Sequence, residues 1–208
     1  MYKPIRVSFC KKDNAVYFSH LDLNRTVMRL LRKSGVDFWY TEGFNPHPYI
    51  VFACPLPLGT ESQCEIFEFK GSEIFSDEDR NALAAAFPEC LKINEVYESP
   101  RKFKEIAFAD YEISMRGRQD ILPLFDHPLM VLKKTKRNEK TVDVRDFIED
   151  ARVEFAGDRT CFRGNIMTGD VNLNPSYLIT ALREAGVSCE DVSIKRIAFL
   201  DHHKNLFR

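Results

Sequence analysis

The sequence predicts an α+β chain made of two ferredoxin-like (βαββαβ) units, antiparallel sheets carrying their helices on one face. Three observations carry that expectation. Short apolar–polar alternations are interleaved with two capped amphipathic segments in the first hundred residues. A basic, proline-containing stretch, SPRKFKE at residues 99–105, then interrupts the pattern. The second half repeats the same grammar more loosely. The expected units are residues 1–100, carrying the SHLD and GFNPHP motifs, and residues 106–208. A chain of 208 residues is long enough for two small domains.

In the first unit, Ile5, Val7 and Phe9 alternate with Arg6 and Ser8, which reads as a half-buried strand over 5–11. Ser19 followed by Asp22 is a capping-box-like start for a helix running to about Ser34, with Gly35 as its stop. Leu23, Val27, Leu30 and Leu31 share one side of it and should face a sheet. Strands are expected at 37–41, 49–54, 64–69 and 91–97. Ser76 and Asp79 cap a second helix over 77–87, carrying Leu83, Ala86 and Phe87.

In the second unit, strands are expected at 110–115, 130–135, 160–166 and 194–200, with a short helix at 118–126 and an extra element at 142–152. Asn174 and Pro175 open a further helix that Gly186 closes, the placement these residues favour.

Composition narrows function. The formal net charge is −1, so any nucleic-acid surface must be a local patch, and no DNA partner is expected. The N-terminus has no apolar leader core, and no apolar run reaches the ~18–20 residues of a membrane span. The expected address is therefore cytoplasmic, without membrane contact. Six cysteines are scattered with no CxxC pair, which suggests buried reduced thiols and neither a zinc nor an iron–sulfur site. No cofactor or metal is expected. Walker A, GxGxxG, GxSxG and HExxH patterns are absent.

The dense stretch is 19–59. Arg25, Arg29 and Arg32 recur at i, i+4 and i+7, with Lys33 beside them, so they stack along one helix face. That face is either a solvated surface or a set of planar forks for phosphates or carboxylates. In the following loop, Pro46 and Pro48 restrict Asn45 and His47 to extended backbone, Gly43 permits a tight entry, and Phe44 is free to pack or stack. The same loop also suits a wide hairpin connection whose Asn caps its own backbone. His20 lies in the first helical turn, where the positive helix end favours a neutral imidazole. His20 or His47 can act as a base, and the two converge only if the loop folds over the helix start. Asp22, Glu42 and Glu65 are weakly spaced metal candidates beside them. His202 and His203 read as tail residues of the adventitious metal-binding type. In PLPLG the prolines exclude a central strand, and Gly59 allows close backbone approach.

SHLD from Ser19 to Asp22, Arg25, the LRKSG helix end, EGFNPHP, PLPLG and Glu65 together resemble the radical-SAM-associated family, also called radical-SAM-linked proteins. Close matching covers residues 5–69, and the C-terminal half is similar only in layout. Tyr49 stands where the resemblance leads one to expect a basic residue. Members of that family occur alone or as the C-terminal part of radical SAM proteins, often encoded near an RNase E/G-type ribonuclease and ribosomal proteins. The resemblance thus implies a module with a radical SAM or RNA-processing partner, the iron–sulfur cluster belonging to that partner. It assigns no catalytic residue. A layout-level likeness to the repeat-associated RNA-binding superfamily of CRISPR systems points the same way. Three functions are expected in order: a noncatalytic RNA-binding or substrate-presenting module using Arg25, Arg29, Arg32, Lys33, Phe44, Asn45 and His47; a metal-independent endoribonuclease using His20 or His47; and a protein–protein adaptor.

Overall fold

The computed structural model describes residues 1–134 and 139–208, and the chain divides into two compact units, Met1–Phe103 with Arg208, and Lys104–Phe207. In the first, β1 spans Tyr2–Lys11, and its apolar residues Ile5, Val7 and Phe9 are fully buried. Arg6 corrects the simple alternation: expected toward solvent, it is only 3% exposed. Its Nε donates to Glu68 at 3.0 Å, its Nη2 donates to the Arg101 carbonyl, and its guanidinium lies 4.5 Å from the centre of the Phe103 ring. A charge leaves water only with such company, and those partners are too far along the chain for a periodicity to show.

Helix α1 spans His20–Ser34 and is capped as expected: Ser19 Oγ accepts the Asp22 N–H at 3.2 Å, and the Asp22 carboxylate accepts the Ser19 N–H at 3.3 Å. Gly35 ends it in the left-handed region, at φ 76°. Strands β2 (Ile50–Phe52), β3 (Glu61–Ser72) and β4 (Ile93–Tyr97) and helix α2 (Asp77–Ala86) complete the unit. The sheet runs β4–β1–β3, antiparallel throughout, and β2 lies on the other edge of β3. Leu23, Val27 and Leu31 of α1 and Leu83 and Ala86 of α2 share one core with Ile5, Val7, Phe9, Phe67 and Phe69, so both helices cover the same sheet face.

Three strand expectations need correction here. Residues 37–41 make only the isolated bridges Phe38↔Gly71 and Tyr40↔Pro48. The 49–54 strand contracts to β2, because Pro48 brings no N–H to a ladder and the loop before it closes on itself. The 91–97 strand begins only at Ile93, after a 3₁₀ turn over Glu89–Leu91.

The second unit contains β5 (Ile106–Arg116), β6 (Met130–Lys134), β7 (Glu139–Asp143), β8 (Ile148–Ala156), β9 (Arg159–Met167), α3 (Ser176–Glu184) and β10 (Glu190–Asp201). Its main sheet runs β10–β5–β9–β8, antiparallel, and β6 pairs with β7 separately. Thr135, the expected end of the 130–135 strand, lies outside the described residues. The expected helix at 118–126 is a 3₁₀ turn over Leu122–Asp126, since Pro123 sits inside it and Pro128 holds His127 extended. The extra element at 142–152 resolves into the end of β7, a 3₁₀ turn over Val144–Phe147 and the start of β8. This unit therefore carries one α-helix among its described residues, not the two expected. That helix opens with Asn174 Oδ1 accepting the Ser176 N–H at 3.0 Å. It closes with the Val187 and Gly186 N–H groups on the carbonyls of Leu182 and Arg183. The fold is thus α+β, with antiparallel sheets and three α-helices among the described residues. All six cysteines are free thiols, but only Cys54 and Cys189 are buried, contrary to the general expectation.

Candidate nucleic-acid interface

Helix α1 sorts its residues by the 3.6 period. Leu23, Val27 and Leu31 go to the core, while Arg25, Arg29, Arg32 and Lys33 are exposed on the other side. None of these four side chains makes a hydrogen bond or ion pair among the described residues. Arg25 acts on Asp22 only through space: two hydrogen bonds from Ser19 hold the Asp22 carboxyl below its ordinary range, and the Arg25 charge adds to them. Arg25 and Arg32 are about 10 Å apart along the axis, so the row can follow a run of anions.

Beyond its two prolines, the loop is held by Thr41, a partner the sequence did not show. The Thr41 N–H donates to the His47 carbonyl at 2.8 Å, and the His47 N–H donates to Thr41 Oγ1 at 3.2 Å. His47 Nδ1 lies 3.1 Å from Thr41 Oγ1 and 3.0 Å from the Asn45 carbonyl. A carbonyl only accepts, so Nδ1 carries the proton in that contact, and in the neutral ring Nε2 is the acceptor, with no partner among the described residues. Gly43, at φ 125°, opens the tip; Phe44 beside it is fully exposed, and Asn45 and Pro46 are exposed too, while Pro48 is buried.

At the base of the loop, Trp39 and Tyr49 meet edge to face with centroids 6.0 Å apart. The Lys70 ammonium sits 4.3 Å from the Trp39 ring centre and 5.5 Å from that of Tyr49. Lys70 therefore puts a cation beside Tyr49, where the local sequence lacks one. Sequence reasoning missed both Lys70 and Trp39, because β3 brings Lys70 to the loop from a distant part of the chain.

Other candidates are placed differently. His20 is exposed and packs edge-on against Phe52, with ring centroids 5.3 Å apart. The polar contacts of the His47 ring are instead with Thr41 and Asn45 of its own loop. Glu65 is 2% exposed within β3, opposite Phe9 in register, and is thus withdrawn from the exposed face. The Gly59 N–H donates to the Val16 carbonyl at 2.9 Å, which ties the PLPLG turn to the segment before α1. His202 and His203 are exposed in the turn after β10. Among the described residues no three His, Cys, Asp or Glu side chains gather as a metal-binding group.

Residues 4–175 match the model of a family described as "Uncharacterized protein conserved in bacteria (DUF2344)". The chain belongs to this family. The DUF2344 match runs from β1 to the start of α3 and so includes α1 and the loop. No curated protein matches. Among solved structures, a chain from the crystal structure of a Cbf5-Nop10-Gar1 complex aligns at 10% identity and a TM-score of 0.47, over 94% of this chain and 48% of its own. The DUF2344 chain thus spans about half the length of that chain. An unknown protein from Galdieria sulphuraria aligns at 13% identity and a TM-score of 0.27, over 95% of this chain and 100% of its own. Neither likeness bears on function. No helix among the described residues is long and apolar enough to cross a membrane.

Proposed function

We propose that the chain is a noncatalytic RNA-binding or substrate-presenting module, with α1 contacting phosphates and the 41–49 loop contacting bases. One observation carries the reading: Arg25, Arg29, Arg32 and Lys33 stand exposed, unpaired among the described residues, on the face opposite the core. Guanidiniums that make no hydrogen bond or ion pair with a carboxylate are suited to an external anion. Phe44, Asn45 and the outward Nε2 of His47 add the stacking face and hydrogen-bonding groups that single-stranded RNA recognition uses. Each unit orders its four sheet strands last–first–third–second, leaving aside the inserted β6–β7 pair, which supports a ferredoxin-like reading of both. The likeness of the SHLD, GFNPHP and PLPLG motifs to radical-SAM-linked proteins supports a radical SAM protein or an RNase E/G-type ribonuclease as partner.

Anisotropy titrations of labelled RNA over a range of salt test this. Binding should weaken with salt, and Arg25→Ala/Arg29→Ala should reduce the log–log salt slope by about 1.4, two contacts at ~0.7 each. Unchanged affinity and slope in that double variant would remove α1 from the reading.

The geometry of His47 favours one second reading, a metal-independent endoribonuclease. An imidazole fixed through Nδ1 with Nε2 free is in the right form to take a proton from a 2′-hydroxyl. Cleavage of labelled RNA in the presence of chelator, lost in His47→Ala or His20→Ala, would replace the noncatalytic reading. Partners retained after nuclease treatment would favour a protein adaptor instead.

A further inference from the structure

Three large apolar side chains near the start of α1 have no role in the core: Tyr17 is 73% exposed, Leu21 58% and Leu58 67%. They come from three separate pieces of chain, a 3₁₀ turn over Asp13–Tyr17, the first turn of α1 and the PLPLG turn. Their backbone is anchored. The Val16 carbonyl accepts both the Gly59 N–H at 2.9 Å and the Lys11 ammonium at 3.2 Å, and Lys11 is 1% exposed. That shared carbonyl joins the backbone next to Tyr17 to the backbone next to Leu58. Leu21 then leads directly into the basic row, because Leu21, Arg25, Arg29 and Arg32 recur at i, i+4, i+8 and i+11 on one helical face. Apolar surface held on fixed backbone and rimmed by charge marks an interaction site.

We infer that Tyr17, Leu21 and Leu58 form a seat for unpaired nucleobases at the head of the arginine row, so that the RNA taken by α1 is single-stranded. The inference rests on the RNA reading of α1 and specifies its substrate. Charge complementarity chooses the occupant. Unpaired arginines next to an apolar platform need a ligand that is anionic along one edge and flat and apolar along the other. A single strand presents phosphates and base faces side by side, whereas a duplex hides its base faces in the stack. Tyr17 supplies the ring for stacking, and the two leucines close the platform around it.

The test compares a short unstructured labelled RNA with a blunt RNA duplex of the same length, on the full chain. Tyr17→Ser/Leu58→Ser should weaken single-strand binding roughly 5- to 150-fold, the range for losing one stacked base, with the salt slope and duplex binding unchanged. Tyr17→Phe should keep wild-type affinity, because the ring remains. Since all the altered side chains are exposed, circular dichroism and melting temperature should match the wild type. If Arg25→Ala/Arg29→Ala weakens binding but the Tyr17/Leu58 variant does not, the seat is overturned while the RNA reading stands. If the wild type binds duplex as tightly as single strand, the seat is also overturned. If the wild type binds neither RNA, the reading of α1 falls and the seat with it. If the double variant changes only self-association, the patch is an interface between copies of the chain.

Discussion

At the scale of one residue, the backbone is least forgiving at Gly169. Its φ is +119°, and an added Cβ would stand 2.6 Å from the Ile106 carbonyl oxygen. Neither condition suits an L side chain, and backbone oxygen has no rotamer by which to retreat. Gly169→Ala should therefore destabilise by about 1–3 kcal/mol, read as a lower urea midpoint; a midpoint equal to wild type would show that the 168–173 turn has slack. Nothing beside Gly169 in the sequence reveals this, because the opposing carbonyl belongs to β5. Ser19 and Asp22 are the contrary case. A capping box closes within one turn, so its residues lie next to one another in the sequence and were readable there. Arg6 stands between the two: its position on a strand was legible, its burial against Glu68 and Phe103 was not.

At the scale of elements, α1 holds its basic face outward because its apolar face is held inward by the sheet. Phe67 is central to that support. It is fully buried in β3, with ring centroids 5.7 Å from Phe9, 5.9 Å from Phe52, 6.2 Å from Phe69 and 6.1 Å from Phe87. Phe67→Ala should cost about 3–5 kcal/mol. Because Phe52 also carries His20, the His20 ring resonances should broaden or shift in the same variant. Sharp, unshifted signals would show that the first turn of α1 does not depend on this stack. The loop teaches a different lesson. Its two prolines announced stiffness, but its direction is decided by Thr41, whose N–H and hydroxyl grip His47, and by the Trp39–Lys70–Tyr49 group at its base. Aromatic and cationic residues this far apart in sequence give no local signal that they will stack.

At the scale of the whole molecule, carboxylates set how stability answers to pH. Hydrogen bonds from Arg145, Lys204 and Arg159 hold Asp143, Asp150 and Asp191 respectively below the ordinary carboxyl value. A lowered folded value stabilises above the unfolded one and loses that contribution as pH falls through the folded value. Asp110 runs the other way. Burial raises its pKa against the opposing charges of Arg163 and Arg152, with Glu112 adding to the rise. Its charged form therefore opposes folding once pH exceeds the unfolded value near 3.8. Melting temperature should fall as the wild type is acidified below about pH 4. Asp110→Asn should raise it at neutral pH and leave it unchanged in acid. A variant that melts lower at neutral pH would mean that the Asp110 charge is held favourably by its arginine neighbours.

What the sequence determined by itself lies within one or two turns of chain: the α1 and α2 caps, the Gly35 stop, the outward arginine row and the proline-stiffened loop. These follow from period and from contacts between near neighbours. What only the tertiary structure decided depends on residues distant in the chain meeting: the burial of Arg6, the Lys70 cation at the loop base, and the bond from Gly59 to Val16 that ties the PLPLG turn to the segment before α1. Each of those states is selected by desolvation and by a partner tens of residues away, and a local pattern carries neither.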